Sequence, residues 1–77
     1  MDIQTFVKHF AAQFDETAPE DITPQTAFRS LEEWSSMVAL SVIAFIDEEY
    51  QTTITGDDIR NAQTVEDIFN KVLEKKA

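Results

Sequence analysis

Two adjacent serines, Ser35 and Ser36, are the residues of this chain whose type and position best suit chemistry. They directly precede an apolar segment with helical spacing, so we expect Ser36 in the first turn of a helix. On its own, a serine at a helix start is usually only a capping residue. An anionic group attached there would nevertheless lie beside unpaired backbone N–H groups and the positive end of the helix dipole. The position therefore favours an anionic modification of Ser36.

The rest of the chain offers no side chains that would make Ser36 an enzymatic nucleophile. There is no cysteine, and the single histidine, His9, lies on the polar side of the first predicted helix. We find no histidine, cysteine or carboxylate pair placed to remove the Ser36 proton, and no set of metal ligands. We therefore expect a protein that is not an enzyme, with no catalytic residues and no metal. Any thiol chemistry must come from a prosthetic group.

The charge of the chain indicates what kind of partner it binds. Its 15 Asp and Glu residues outnumber its 6 Lys and Arg residues, which gives a net charge of −9. Such a field repels nucleic acid and anionic lipid, and it attracts proteins with basic surfaces. Charged residues at helix ends are usually only solvated, but this asymmetry favours partner binding. The candidate partner-binding acids are Asp47, Glu48, Asp57 and Asp58.

Apolar residues at helical spacing predict three substantial helices and one short one. Asp2 is expected to cap the first helix, and Thr64 and Asp67 are expected to form the capping pair of the last. The expected elements are helix one from Ile3 to Phe14, helix two from Met37 to Tyr50, a short third helix from Gly56 to Arg60, and helix four from Thr64 onward.

A long connection from Asp15 to Trp34 and an apolar second helix complete the pattern. The connection carries Pro19 and Pro24, and we expect four apolar residues to hold it against the bundle: Ile22, Phe28, Leu31 and Trp34. Helix two is expected to be the most buried, along the stripe Met37, Leu40, Ile43, Ile46 and Tyr50, widened by Val42 and Phe45. The alternative to a plain core is a pocket between helices, lined by Met37, Val42, Phe45 and Trp34.

Length and hydropathy predict a single domain, residues 1–77, without membrane insertion. The most apolar segment, Met37 to Ile46, is about half as long as the roughly 20 residues that a membrane span requires. The first residues lack the basic stretch and apolar run of a secretion signal, which favours a cytoplasmic location. A monomer is the simplest state for a protein that must visit several partners.

The segment from Arg29 to Leu40 resembles the attachment region of acyl carrier proteins. In that family an Asp-Ser-Leu motif lies where a long loop joins helix two, and Ser35-Ser36-Met37 occupies this register here. A tryptophan before the motif, here Trp34, also occurs in the family. The resemblance extends over essentially the whole chain through three further features: Thr23-Pro24-Gln25-Thr26 in the first loop, the helix ending Asp47-Glu48-Glu49-Tyr50, and the Thr64-Val65 start of the last helix.

The resemblance implies an all-α four-helix bundle of acyl-carrier-protein type, with a short third helix and a long first loop. It implies that Ser36, flanked by Ser35 and Met37, carries 4'-phosphopantetheine donated by coenzyme A. The implied partners are a phosphopantetheinyl transferase and the acyl-transferring and chain-elongating enzymes of fatty acid, polyketide or related biosynthesis. Acyl intermediates would be held on the arm as thioesters.

One departure from the family concerns the residue before the attachment serine. Ser35 replaces the usual aspartate, and Ser41 stands where many relatives carry an acid. Serine and aspartate both cap helices well, so the change costs little stability but removes negative charge beside Ser36. Two interpretations follow: a carrier of a specialised pathway with its own transferase, or a homologue that is never modified. The alternative function is an unmodified acidic helical adaptor that binds proteins through helix two.

Overall fold

Four α-helices form the fold, and two short 3-10 turns lie between the first and the second. The structure, a computed structural model, describes residues 2–76, and this range contains no β-strand. The helices are α1 (Ile3–Ala11), α2 (Ser36–Tyr50), α3 (Gly56–Asn61) and α4 (Val65–Lys76), and the 3-10 turns are Pro19–Asp21 and Phe28–Ser30. The expected all-α bundle with a short third helix and a long first loop is confirmed.

Phe6 occupies the centre of the core and joins three helices. This α1 residue is fully buried, and its ring centroid lies 5.2 Å from that of Phe69 on α4 and 5.6 Å from that of Phe45 on α2. Burying one such side chain contributes about 1.5–3 kcal/mol. Other fully or almost fully buried side chains complete the core: Phe10, Phe28, Val42, Ile46, Ile54, Val65, Ile68 and Val72.

The first helix begins where the sequence predicts and ends earlier. The Asp2 side chain accepts a hydrogen bond from the Thr5 amide at 2.9 Å, which confirms the predicted cap. The helix ends at Ala11, whereas Phe14 was the expected end, because the chain tightens into a turn in which the Phe14 amide donates to the Ala11 carbonyl at 3.1 Å. Phe14 is still buried, since a residue three positions after Ala11 stays on the same face in either geometry.

The long first loop caps the fourth helix as well as connecting α1 to α2. The amides of Val65 and Glu66 donate to the carbonyls of Thr26 and Pro24, at 3.2 and 2.9 Å. The first amides of a helix have no partner within it, so the loop satisfies two of them. The predicted cap is confirmed too, because the Thr64 hydroxyl accepts from the Asp67 amide while the Asp67 carboxylate accepts from the Thr64 amide.

The second helix ends at a residue with left-handed backbone geometry. Gln51 has φ 52° and ψ 43°, and its amide donates to the Asp47 carbonyl at 2.9 Å. This conformation usually requires glycine or asparagine, so Gln51 carries backbone strain. The Lys75 ammonium donates to the Thr53 carbonyl in the α2–α3 connection, and the Lys76 ammonium donates to the Tyr50 carbonyl at the end of α2. No helix within residues 2–76 has the length and apolar character needed to cross a membrane.

Candidate functional site

Ser36 is the first residue of α2, and its side chain is exposed. Ser35 caps the helix: its backbone is extended, and its hydroxyl accepts a hydrogen bond from the Val38 amide at 3.3 Å. The Ser35 carbonyl accepts the first bond of the helix ladder, from the Ala39 amide at 3.0 Å. The Ser36 hydroxyl makes no hydrogen bond within residues 2–76. The backbone of Ser36 is therefore held at the start of α2, and its hydroxyl points to open space without a partner in this range.

The surroundings of Ser36 fit a phosphodiester, which is the group that a phosphopantetheine arm would place there. The backbone amides of Ser36 and Met37 have no hydrogen-bond partner in the described part of the chain, and the first turn of α2 contains no acid. Free amides at a helix start favour an anion. The exposure of the hydroxyl leaves space for a substituent.

Trp34, two residues before Ser36, packs against the core and fixes the end of the long loop. Its ring centroid lies 4.8 Å from that of the fully buried Phe28 in an edge-to-face arrangement, and 6.4 Å from that of Phe10 in a stacked one. Aromatic pairs in these geometries add about 0.5–1.5 kcal/mol beyond burial of their area. Ile22 and Phe28 are buried and Leu31 is partly buried, which confirms that apolar residues fix the loop.

Glu33 joins the two ends of the long loop. Its carboxylate accepts hydrogen bonds from the amides of Asp15, Glu16 and Thr17, at 2.6, 3.0 and 2.8 Å, and from the Thr17 hydroxyl. Partial desolvation raises the pKa of Glu33, but these hydrogen bonds together lower it below the ordinary glutamate range. An ionised Glu33 therefore holds the start of the loop, residues 15–17, against its end. Glu33 itself lies three residues before Ser36. Glu33 is not among the residues singled out by the sequence pattern.

The predicted buried stripe of α2 is wrong at its N-terminal end. Met37 is 78% exposed and Leu40 is 65% exposed, whereas Val42 and Ile46 are fully buried. The buried face follows Val42, Phe45 and Ile46. Helix α2 is also not the most buried helix, since α4 buries four residues of its 12 and α2 buries three of its 15. The two large apolar side chains beside Ser36 face solvent.

The four candidate partner-binding acids lie on two different helices, Asp47 and Glu48 on α2 and Asp57 and Asp58 on α3. Asp47 and Glu48 are exposed near the opposite end of α2, about 17 Å from Ser36 along the helix axis at 1.5 Å per residue. Asp57 pairs with Arg60 on the surface. The Asp58 carboxylate accepts from the Lys75 ammonium at 2.6 Å and from the Thr55 amide at 3.0 Å.

Asp58 is thus committed to contacts within the chain. Its hydrogen bond with Lys75, followed by that from the Thr55 amide, lowers the pKa of Asp58 below the ordinary aspartate range. The Thr55 hydroxyl accepts from the Asp58 amide in return, so the two residues form a capping box at the start of α3. Of the four candidate acids, Asp47 and Glu48 alone have no ion pair or side-chain hydrogen bond within residues 2–76.

An apolar groove of about 370 Å³ opens beside Ser36, between α2 and α3. Of the four residues expected to line a pocket between helices, only Trp34 lines this groove, since Val42 and Phe45 belong to the core and Met37 faces solvent. Its lining residues are Arg29, Trp34, Ser36, Ala39, Leu40, Ile43, Gly56, Ile59 and Arg60. The one sequence feature that could have drawn attention to Arg29 and Arg60 is that they are the only arginines of an acidic chain.

Comparison of the chain with protein-family models, with curated proteins and with solved structures gives no match.

Proposed function

We propose that this chain is an acyl carrier protein, in which Ser36 bears a 4'-phosphopantetheine arm. The supporting observation is an exposed, unbonded hydroxyl at the first residue of α2, next to two free backbone amides and with no acid in that turn. The resemblance of Ser35-Ser36-Met37 and of the element order to the carrier family supports the same conclusion. The arm would supply a terminal thiol on which acyl groups are carried as thioesters.

Attachment of the arm needs a separate transferase, because no side chain within residues 2–76 forms a hydrogen bond with the Ser36 hydroxyl and could take its proton. The Ser36 oxygen attacks the phosphorus of coenzyme A that bears the pantetheine, a new P–O bond forms, and the pyrophosphate bond to the nucleotide breaks. The hydroxyl proton passes to a base of the phosphopantetheinyl transferase, and magnesium neutralises the developing charge. Ser35 holds the first turn of α2 in place, and the free amides stabilise the phosphodiester product.

Partner enzymes recognise two separate features of the surface. Exposed Met37 and Leu40 give an apolar contact beside the attachment point, and Asp47 and Glu48 attract basic docking surfaces from the far end of α2. Charge complementarity mainly raises the rate of encounter, so acyl-transferring and chain-elongating enzymes bind quickly and are released again. The carrier acts as a monomer in the cytoplasm, within fatty acid, polyketide or related biosynthesis.

The test is a modification assay with the full chain. The protein is incubated with coenzyme A, magnesium and a broad-specificity phosphopantetheinyl transferase, and intact mass is measured. The matched variants are Ser36→Ala and Ser35→Ala, with folding checked by circular dichroism. We expect one phosphopantetheine on the wild type and on Ser35→Ala, and none on Ser36→Ala. Absence of the gain in folded wild type, with this transferase and that of the host, would overturn the proposal.

The alternative is an unmodified adaptor that binds proteins through α2. The exposure of Met37 and Leu40 favours it, because two large apolar side chains on one solvent-facing helix end suit a protein contact without any arm. The modification assay separates the two functions. If no transferase modifies the folded protein and Leu40→Ala still weakens capture of a basic partner, the adaptor is the better account.

A further inference from the structure

The chain contains two arginines, and both line the groove beside Ser36. They come from different elements, since Arg29 lies in the second 3-10 turn and Arg60 lies in α3. The walls between them are apolar and include Trp34, Ile43 and Ile59. Two cations beside one apolar groove stand out in a chain of net charge −9. This arrangement suits a ligand with an apolar body and an anionic group.

Arg29 is oriented before any ligand arrives. One Nη of its guanidinium donates to the Ile59 carbonyl at 2.8 Å, and the guanidinium carbon lies 5.2 Å above the centre of the Phe28 ring. A guanidinium has five N–H donors in a rigid fork, so this single bond leaves others free. Because Phe28 is fully buried, its contact with the guanidinium holds Arg29 at the groove. Phe28 carries no charge, so the positive charge of Arg29 is not neutralised by this contact.

The guanidinium of Arg60 can exchange its ion pair with Asp57 for one with a ligand anion. It pairs with Asp57 on the surface, where the two side chains are 76% and 74% exposed. Exposed ion pairs of this kind contribute little, typically below about 1 kcal/mol. An anion at the edge of the groove can therefore replace or share the Asp57 contact.

We propose that the groove holds the end of a short cargo on the Ser36 arm, and that this cargo carries an acid group recognised by Arg29 and Arg60. The inference rests on the proposed carrier function and names its substrate class, an acyl group with a second carboxylate or equivalent anion. Ser36 itself lines the groove, so an arm on its oxygen starts at the groove edge. The volume of about 370 Å³ is near the lower end for ligand pockets, which favours a short cargo.

A purely apolar cargo explains the walls of the groove but not its cations. The anion accounts for both arginines through charge complementarity, and its recognition distinguishes an acid-bearing cargo from a neutral one of the same length. Gly56 provides a way to close the groove. Gly56 lines the groove, and a Cβ placed on it meets no atom within 4 Å, so a side chain can start there without a clash at its first carbon.

The test compares two cargoes that differ only in a terminal carboxylate. The transferase loads the protein from hexanoyl-coenzyme A or adipoyl-coenzyme A, and intact mass establishes loading. Cleavage of the thioester by hydroxylamine is then timed, and each rate is divided by the rate for the same acyl group on coenzyme A. This ratio removes the intrinsic effect of the second carboxylate on reactivity, so it measures protection by the protein.

We expect the adipoyl group to be protected about two- to tenfold more than the hexanoyl group, the range of one net hydrogen bond. Arg60→Gln should remove this difference, and Gly56→Leu should reduce protection of both cargoes. Two matched controls should leave the protection of both cargoes unchanged. Lys71→Gln removes a cation outside the groove, and Asn70→Leu adds a leucine to the exposed side of α4.

Equal protection of the two cargoes, or an equal effect of Arg60→Gln and Lys71→Gln, would overturn the inference while leaving the carrier function intact. A protein that is folded but accepts no arm would overturn the carrier function itself, and the mass measurement identifies that case before any cleavage is timed. Circular dichroism on each variant separates loss of protection from loss of folding.

Discussion

Truncation of two apolar residues on the same helix should have very different effects on stability. Ile46 is fully buried, and Leu40 is 65% exposed although the apolar pattern places both on one stripe. A buried isoleucine replaced by alanine loses about 2–5 kcal/mol, through lost transfer energy and the cavity left behind. A domain of this length has a total free energy of unfolding of roughly 4–12 kcal/mol. Ile46→Ala should therefore remove a large share of the stability.

Leu40→Ala should cost much less. About a third of the Leu40 surface is removed from water, so about 0.5–1 kcal/mol of the roughly 1.5–3 kcal/mol for full burial is lost. The better helix propensity of alanine returns a few tenths of this. The expected difference between the two variants is therefore at least about 1 kcal/mol, and it does not depend on the exact stability of the wild type.

Urea unfolding monitored by circular dichroism measures both changes, provided that the slope against urea stays constant between variants. Ile46→Val, expected to cost about 0.5–1.5 kcal/mol, serves if Ile46→Ala is too unstable to measure. If Leu40→Ala loses as much stability as Ile46→Ala, then Leu40 is buried. The exposed apolar surface beside Ser36 would not exist, and the partner contact proposed for it would be refuted.

Three further predictions concern the caps and the ionised carboxylates. Gln51→Gly should raise the free energy of unfolding by about 1 kcal/mol by relieving left-handed backbone strain, measured by urea unfolding. Because the folded-state pKa values of Glu33 and Asp58 are lowered, their stabilisation should be full at neutral pH and decline as the pH falls through those values, seen as a falling urea midpoint. Ser35→Asp should change stability by less than about 0.5 kcal/mol while speeding modification of Ser36 by a broad-specificity transferase, followed by intact mass.

The sequence predicts best those features that short-range chemistry determines. The capping residues Asp2, Thr64 and Asp67 are confirmed with hydrogen bonds close to 3 Å, because a cap depends on residues within four positions. The apolar anchors of the long loop are confirmed for a similar reason. A large apolar side chain such as Phe28, in a segment without its own periodicity, has no better place than the bundle.

The face of α2 that meets the core was not predictable in the same way. Helix α2 has apolar residues almost all round, so several stripes fit the sequence equally well, and the packing of Phe6 against Phe45 decides between them. The contacts of Glu33 and Arg29 were also missed. Each joins segments far apart in sequence, Glu33 to Thr17 and Arg29 to Ile59, and no local pattern indicates such pairs.

The first turns of α2 are held chiefly by their ends and by the loop, not by burial. Full burial begins at Val42, and residues 36–41 are exposed or only partly buried. The cap at Ser35, the Trp34 packing and the Glu33 contacts therefore fix this part of the helix from outside. It follows that side chains around Ser36 can change with little effect on the core. At position 35, for example, aspartate and serine are nearly equivalent in the stability they give as helix caps. If the proposed carrier function holds, Ser35, which stands where acyl carrier proteins have aspartate, should affect recognition by the transferase more than folding.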